Sequence, residues 1–214
     1  MMAIRNSPTL RAALVGEDLV LLDTRCDVYF CAPGAGEAWC DMVRGSDSVA
    51  AEALRALLNR AGYGPASLAP PPNCARDLPS RRVDDDFEVE VRPVDLWRLL
   101  RAWLDYLFHY RGKPFLDLLA YAVSDRSAAP VPPEERRRLA QVFLRLAVWL
   151  PVPEKCLVRS FLLLRFLHRS GATADWVIGV GVWPFRAHCW LEADGEALDD
   201  APERLAAYTP ILTA

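Results

Sequence analysis

The chain has 214 residues, of which 52% are apolar and 25% charged, and a formal charge of −3. This length buries a sizeable core in one large or two small domains, and the composition excludes a disordered chain. The slight acidity gives no general reason to bind nucleic acid or an acidic membrane. The longest apolar stretches, around Leu139–Leu150 and Leu157–Leu167, are too short and too interrupted by arginine to span a bilayer. The start, MMAIRNSPTLRAALVGEDL, lacks the unbroken apolar segment of a signal peptide, so a cytoplasmic location is expected.

Three short strands are predicted first, Leu10–Val15, Asp18–Asp23 and Val28–Cys31, with turns at GED and RCD. Helical patterns follow at Gly36–Arg44 and Val49–Ala61, the second with Leu54, Leu57 and Leu58 on one face and Gly62 as a stop. A three-stranded sheet with short helices is the layout of a winged helix-turn-helix. Residues 1–63 carry six arginines, no lysine and eight acidic residues, so a phosphate-neutralising face is missing. Adding a peptide to the sheet edge is the better use of the scaffold. Fold alone does not fix function, and a purely structural accessory domain stays open.

Residues 64–86 are rich in proline and polar residues and end in an acidic run, which reads as an extended linker. The expected division is 1–66, a linker over 67–86, and a second domain over 87–214. That domain begins helical, at Val94–Tyr110, Lys113–Ser124, Pro133–Trp149 and Glu154–Ser170. A loop, SDRSAAPVPPEERRR, interrupts it and ends in a proline-led helix start. The pattern then changes to period two. DWVIGVGVWPF reads as a buried strand, and AHCWLEADGEALDD as a hairpin turning at Asp194-Gly195. Helices followed by an antiparallel sheet give an α+β class.

The six cysteines form no C-x-x-C pair and no paired zinc spacing, and with no export signal they are expected to be reduced. Cys156 differs from the rest in position. It begins a helix that is apolar on every side, where the helix N-terminus lowers a thiol pKa. A cysteine in such a helix is commonly core, and His188, in a following strand, equally reads as a packed histidine. Cysteine at a helix start and histidine in a later strand is nonetheless the order of papain-like cysteine enzymes. His109 and His168 sit in packing segments, and three scattered histidines do not make a metal site.

The C-terminal motifs resemble the transglutaminase-like leader peptidase of lasso-peptide biosynthesis, the B protein. The likeness is carried by Cys-Leu-x-Arg-Ser at 156–160, Gly179-Val180, Ala-His-x-Trp-Leu-Glu at 187–192, Asp194-Gly195, Asp200 and the Tyr208-x-Pro ending. "LVLLDTRCDVYFCAPG" is similar to the leader-recognition domain often fused ahead of it. The resemblance implies a papain/transglutaminase-like fold and a cysteine peptidase without a cofactor. The precursor's leader would dock as an added strand on the N-terminal sheet, along Val28, Tyr29 and Phe30 and the helix holding Leu54 and Leu58. Cys156 would attack the junction, His188 would relay the proton, and an aspartate would orient it. The freed core amine would pass to an ATP-dependent cyclase. Cys189 stands where the family commonly has a small residue; strand alternation turns it from His188, and it reads as packing. Gln141 and Arg159 are candidate oxyanion donors beside the Cys156 N–H. Acyl transfer to an amine and a non-catalytic peptide-binding role remain the alternatives.

Hairpin geometry leaves Asp199 and Asp200 in competition. A two-residue turn pairs Ala193 with Glu196 and puts Asp199 on the histidine's face. A three-residue turn pairs Glu192 with Glu196 and sets Asp200 opposite His188. The family spacing favours Asp200, and with it the three-residue turn.

Overall fold

Strands β1 (Leu10–Val15), β2 (Asp18–Asp23) and β3 (Val28–Ala32) form an antiparallel sheet in the order β1-β2-β3. This computed structural model describes residues 9–64, 67, 78–83, 88–123 and 131–214. Most of the expected linker, Cys74 and the loop at 124–130 lie outside the described residues.

Alternation makes the first sheet two-sided. Leu10, Ala12, Leu19 and Leu21 point to one face, where α1 (Gly36–Arg44) and α2 (Val49–Arg60) cover them with Trp39, Met42, Ala51 and Leu58. Ser48 caps α2 by accepting the Ala51 N–H at 3.2 Å. Ala13, Val20 and Leu22 point the other way, into a core shared with the rest of the chain. The N-terminal unit is thus joined to the C-terminal one through an apolar face.

The second sheet has five strands in the order β4-β7-β6-β5-β8. They are β4 (Arg81–Arg82), β5 (Asp175–Gly181), β6 (Arg186–Ala193), β7 (Glu196–Ala197) and β8 (Thr209–Thr213). The sheet is antiparallel except that β4, drawn from the expected linker, pairs parallel to β7. Helices α3 (Pro93–Asp105), α4 (Phe115–Val123), α5 (Pro133–Ala147) and α6 (Cys156–Arg169) pack ahead of it, and a short α7 (Pro202–Leu205) precedes β8. The α+β expectation is met. One expected helix divides: α3 ends at Asp105 and a π-helical turn, Tyr106–Tyr110, follows.

Helix α6 is the centre of the molecule. Phe161, Leu163, Phe166 and Leu167 are wholly buried between α3, α5 and β6. Its C-terminal end is tied to α3 by charge. Arg165 Nε donates to Asp105 Oδ2 at 3.1 Å, Arg169 Nη2 to Oδ1 at 2.9 Å, and the Tyr121 hydroxyl to Oδ1 at 3.0 Å. Asp105 and Arg165 are nearly fully buried, so each charge depends on the other. Asp105→Ala strands two guanidinium groups there, and urea unfolding should register a loss of roughly 3–5 kcal/mol. A loss under ~1 kcal/mol would mean that the network does not hold α6.

Candidate active site

Cys156 is the first residue of α6, with Lys155 as its N-cap in extended backbone. The segment ahead of it, with Pro151 and Pro153, cannot continue a helix, and this leaves the thiol at the mouth of a cleft of about 720 Å³. His188, Cys189, Asp199, Asp200 and Gln141 line the same cleft. His188 is contributed by β6, which packs along α6.

The imidazole is held from several sides. Its Nε2 meets Asp200 Oδ2 at 2.6 Å. The rings of Tyr208 and Trp190 lie 5.3 and 6.2 Å from it, centroid to centroid. Gly179 is the strand partner of His188, and a Cβ there would come within 2.7 Å of the Trp190 ring and 3.0 Å of the Tyr208 Cβ. The glycine of the Gly179-Val180 motif therefore makes room for the two aromatic walls.

The route by which Asp200 arrives differs from the expected one. The turn has two residues: Ala193 pairs with Glu196, and Asp194 and Gly195 both carry positive φ, at 51° and 76°. In that register a continued strand would set Ala201 opposite His188. The ladder stops first. Leu198 N–H donates to Leu191 O, but Leu191 N–H turns to the side chain of Asp199, Oδ1, at 2.9 Å. Asp199 thus replaces the next backbone acceptor, the chain leaves the sheet, and Asp200 swings to the histidine. Pro202 then starts α7. The expected three-residue turn is corrected; the aspartate that reaches His188 is Asp200.

Arg159 braces this departure, donating from Nη2 to the Asp199 carbonyl at 2.8 Å. Asp200 Oδ1 accepts the Ala201 N–H at 2.8 Å and faces Arg204 at 3.3 Å. Gln141 and Arg159 both line the cleft, and Arg159 also holds the loop.

Charge follows from these contacts. Hydrogen bonds from Cys189 and then His188 outweigh burial and bring the Cys156 thiol down to about 4. His188 is raised to about 9, chiefly by Asp200 and next by Cys156. Burial pushes Asp200 upward, but its bonds to His188 and Ala201 prevail and keep it below the usual carboxylate range. Burial lifts Asp199 to about 6. At neutral pH the pair is a thiolate and an imidazolium.

The positions expected to meet a peptide divide by face. Val28 and Phe30 are exposed on β3, the free edge of its sheet among the described residues, and Phe30 lies 6.4 Å from the Tyr63 ring. Tyr29 points inward against Phe185, at 5.3 Å, with its phenol pushed above the ordinary range by burial first and then by Asp27, Cys189 and Cys156. On α2, Leu58 is buried in the N-terminal core and Leu54 packs against that core, partly buried. His109 stacks on Tyr121 at 4.4 Å, and His168 is buried beside Arg165. Among the described residues no group of three histidine, cysteine or acidic side chains is placed to hold a metal ion.

Sequence reasoning missed the contact between Cys189 and Cys156. Alternation correctly turns Cys189 away from His188, but the face it turns to is the one α6 covers. Ser160, one helical turn after Cys156, donates to Cys189 Sγ at 3.5 Å and accepts the Trp176 indole N–H at 2.8 Å. A small polar residue four positions after Cys156, inside an apolar helix, was the available signal.

Residues 101–213, more than half of the chain, match the family described as the transglutaminase-like superfamily. The chain belongs to the transglutaminase-like superfamily. It is also similar to the microcin J25-processing protein McjB of Escherichia coli, 43% identical over 47 residues. That match covers 22% of this chain and 23% of McjB, so the likeness is confined to under a quarter of either protein. No solved structure matches. No helix among the described residues of this transglutaminase-like chain is long and apolar enough to cross a membrane.

The charge assignment is testable without a substrate. In an NMR titration His188 should lose its proton near pH 9. Asp200→Asn should lower that midpoint by roughly 1–3 pH units, since the anionic partner is gone. Asp199→Asn, which keeps an oxygen for Leu191, should hardly move it. Equal responses would remove Asp200 from its place beside the ring.

Proposed function

We propose that the chain is a cysteine peptidase of the lasso-peptide B type, which binds the leader of a ribosomally made precursor and cleaves it from the core. The observation that carries this reading is the Cys156–His188–Asp200 array in an open cleft, within a transglutaminase-like chain that shares a segment with a microcin-processing protein.

In this mechanism the Cys156 thiolate attacks the scissile carbonyl. His188, protonated and held by Asp200, gives its proton to the leaving amine, then activates water to release the acyl group. The Cys156 N–H at the helix start and Gln141 are candidate donors to the oxyanion. No metal or cofactor enters the reaction. The freed core amine is the substrate of an ATP-dependent lasso cyclase.

The leader docks along the free edge of β3, adding a strand over Val28 and Phe30. The β5–β6 hairpin supports this placement. Its tip touches the first sheet through Trp183 Nε1 donating to Asp18 Oδ2 at 2.7 Å and through Phe185 on Tyr29, while β6 itself carries His188. A leader held on β3 is thus one hairpin away from the cleft. The protein is expected to work in the cytoplasm, where the precursor is made.

The test uses the full chain and a lasso-peptide precursor made of leader and core. Cys156→Ala should reduce leader removal at least about a thousandfold, read by mass spectrometry, with precursor binding kept. Near wild-type cleavage would end the peptidase reading, and consumption of added amine in place of water would assign acyl transfer instead. Wild-type kcat/KM should form a bell, falling below about pH 4 as Cys156 gains a proton and above about pH 9 as His188 loses one. Phe30→Asp should raise KM about tenfold and leave kcat near its normal value, because docking lies away from the chemistry. An unchanged KM would move the leader off β3.

A further inference from the structure

The contact between the two thiols goes beyond peptide cleavage. Cys189 is near enough to Cys156 that its N–H and its side chain both lower the Cys156 thiol. Cys156 and Ser160 share one helix face, and Ser160 holds the Cys189 sulfur from the far side while Trp176 fixes the Ser160 hydroxyl. Both cysteines line the cleft, yet their settings differ: Cys156 is half-buried and Cys189 is only 4% exposed. One thiol can meet a small oxidant, and the other can meet only its neighbour.

We propose that Cys189 is the resolving thiol for Cys156, so that oxidation of Cys156 by a peroxide ends in a reversible Cys156–Cys189 disulfide that closes the site. Sulfur attacks one peroxide oxygen. The S–O bond forms as the O–O bond breaks, and the departing hydroxide takes the His188 proton to leave as water; Cys156 is oxidised to the sulfenic acid and the peroxide reduced. The Cys189 sulfur then attacks Cys156 Sγ, the S–O bond breaks, and the hydroxyl leaves with the Cys189 proton as a second water. An external dithiol reverses the bond by exchange. Without the second thiol the sulfenic acid proceeds to the sulfinic acid, which a dithiol does not reduce. The oxidised pair also removes the donor and the nucleophile together, so the closed state has no residual thiolate.

The experiment treats the full chain with hydrogen peroxide, blocks remaining thiols with iodoacetamide and maps peptides by mass spectrometry, a readout that needs no substrate. Wild type should yield a peptide joining Cys156 to Cys189, lighter by two hydrogens than its reduced parts, and dithiothreitol should restore both free thiols. Cys189→Ala and Cys189→Ser should instead accumulate sulfinic acid at Cys156 and lose reactivity there permanently. Sulfinic Cys156 in wild type, an alkylatable Cys189 after full oxidation of Cys156, or a bond from Cys156 to Cys26, Cys31 or Cys40 would each overturn the proposal. A mapped disulfide in a protein that cleaves no precursor would sink the peptidase reading and leave the thiol pair standing.

Discussion

Everything in the candidate site depends on how helix α6 is held. Its apolar surface gives it no stable place except the middle of the molecule, and burial of Phe161, Leu163, Phe166 and Leu167 puts it there. Burial alone leaves a helix free to slide or rotate. Asp105 removes that freedom at the C-terminal end by gripping Arg165 and Arg169, while Ser160 and Trp176 bind the other end to the sheet. Cys156 is therefore carried on a rigid rod, at the end that opens into the cleft. The same constraint explains why a thiol so close to a buried core is ionised: the His188 and Cys189 donors are fixed in place by β6 before any substrate arrives.

The second consequence concerns the first sheet. A peptide-docking unit on a loose tether would gain only local concentration for its partner domain. Here Ala13, Val20 and Leu22 enter the same core as α6 and β5, and the β5–β6 hairpin touches both β2 and β3. The free edge of β3 thus has a set direction relative to the cleft. If a leader adds to that edge, the position of its C-terminal end is determined by the fold rather than by diffusion on a linker.

The elements that were legible in the sequence are those whose period is complete. β1, β2, α1 and the start of α5 were readable because alternation or amphipathicity runs through each and turn chemistry bounds it. β8 is not legible because Thr209–Thr213 is short and has a proline at its second position, and β4 because two arginines carry no pattern at all. At the site, Cys156 and His188 could be read from their positions on their elements. The link between Asp200 and His188 could not be reached by counting residues back from the turn. It depends on one side chain, Asp199, taking the place of a backbone acceptor and ending the strand. On α2, Leu58 is buried against the first sheet while Leu54 is only partly covered, a difference the helical period alone does not show.

The proposed chemistry depends on Cys156 being a thiolate at rest. Its rate of alkylation by iodoacetamide, followed against pH with peptide mapping to separate it from the other cysteines, measures that directly. A thiolate held by His188 and Cys189 gives a midpoint near pH 4. A midpoint near the ordinary thiol value of about 8.5 would contradict it, because neither His188 nor Cys189 would then be stabilising the charge on which the chemistry rests.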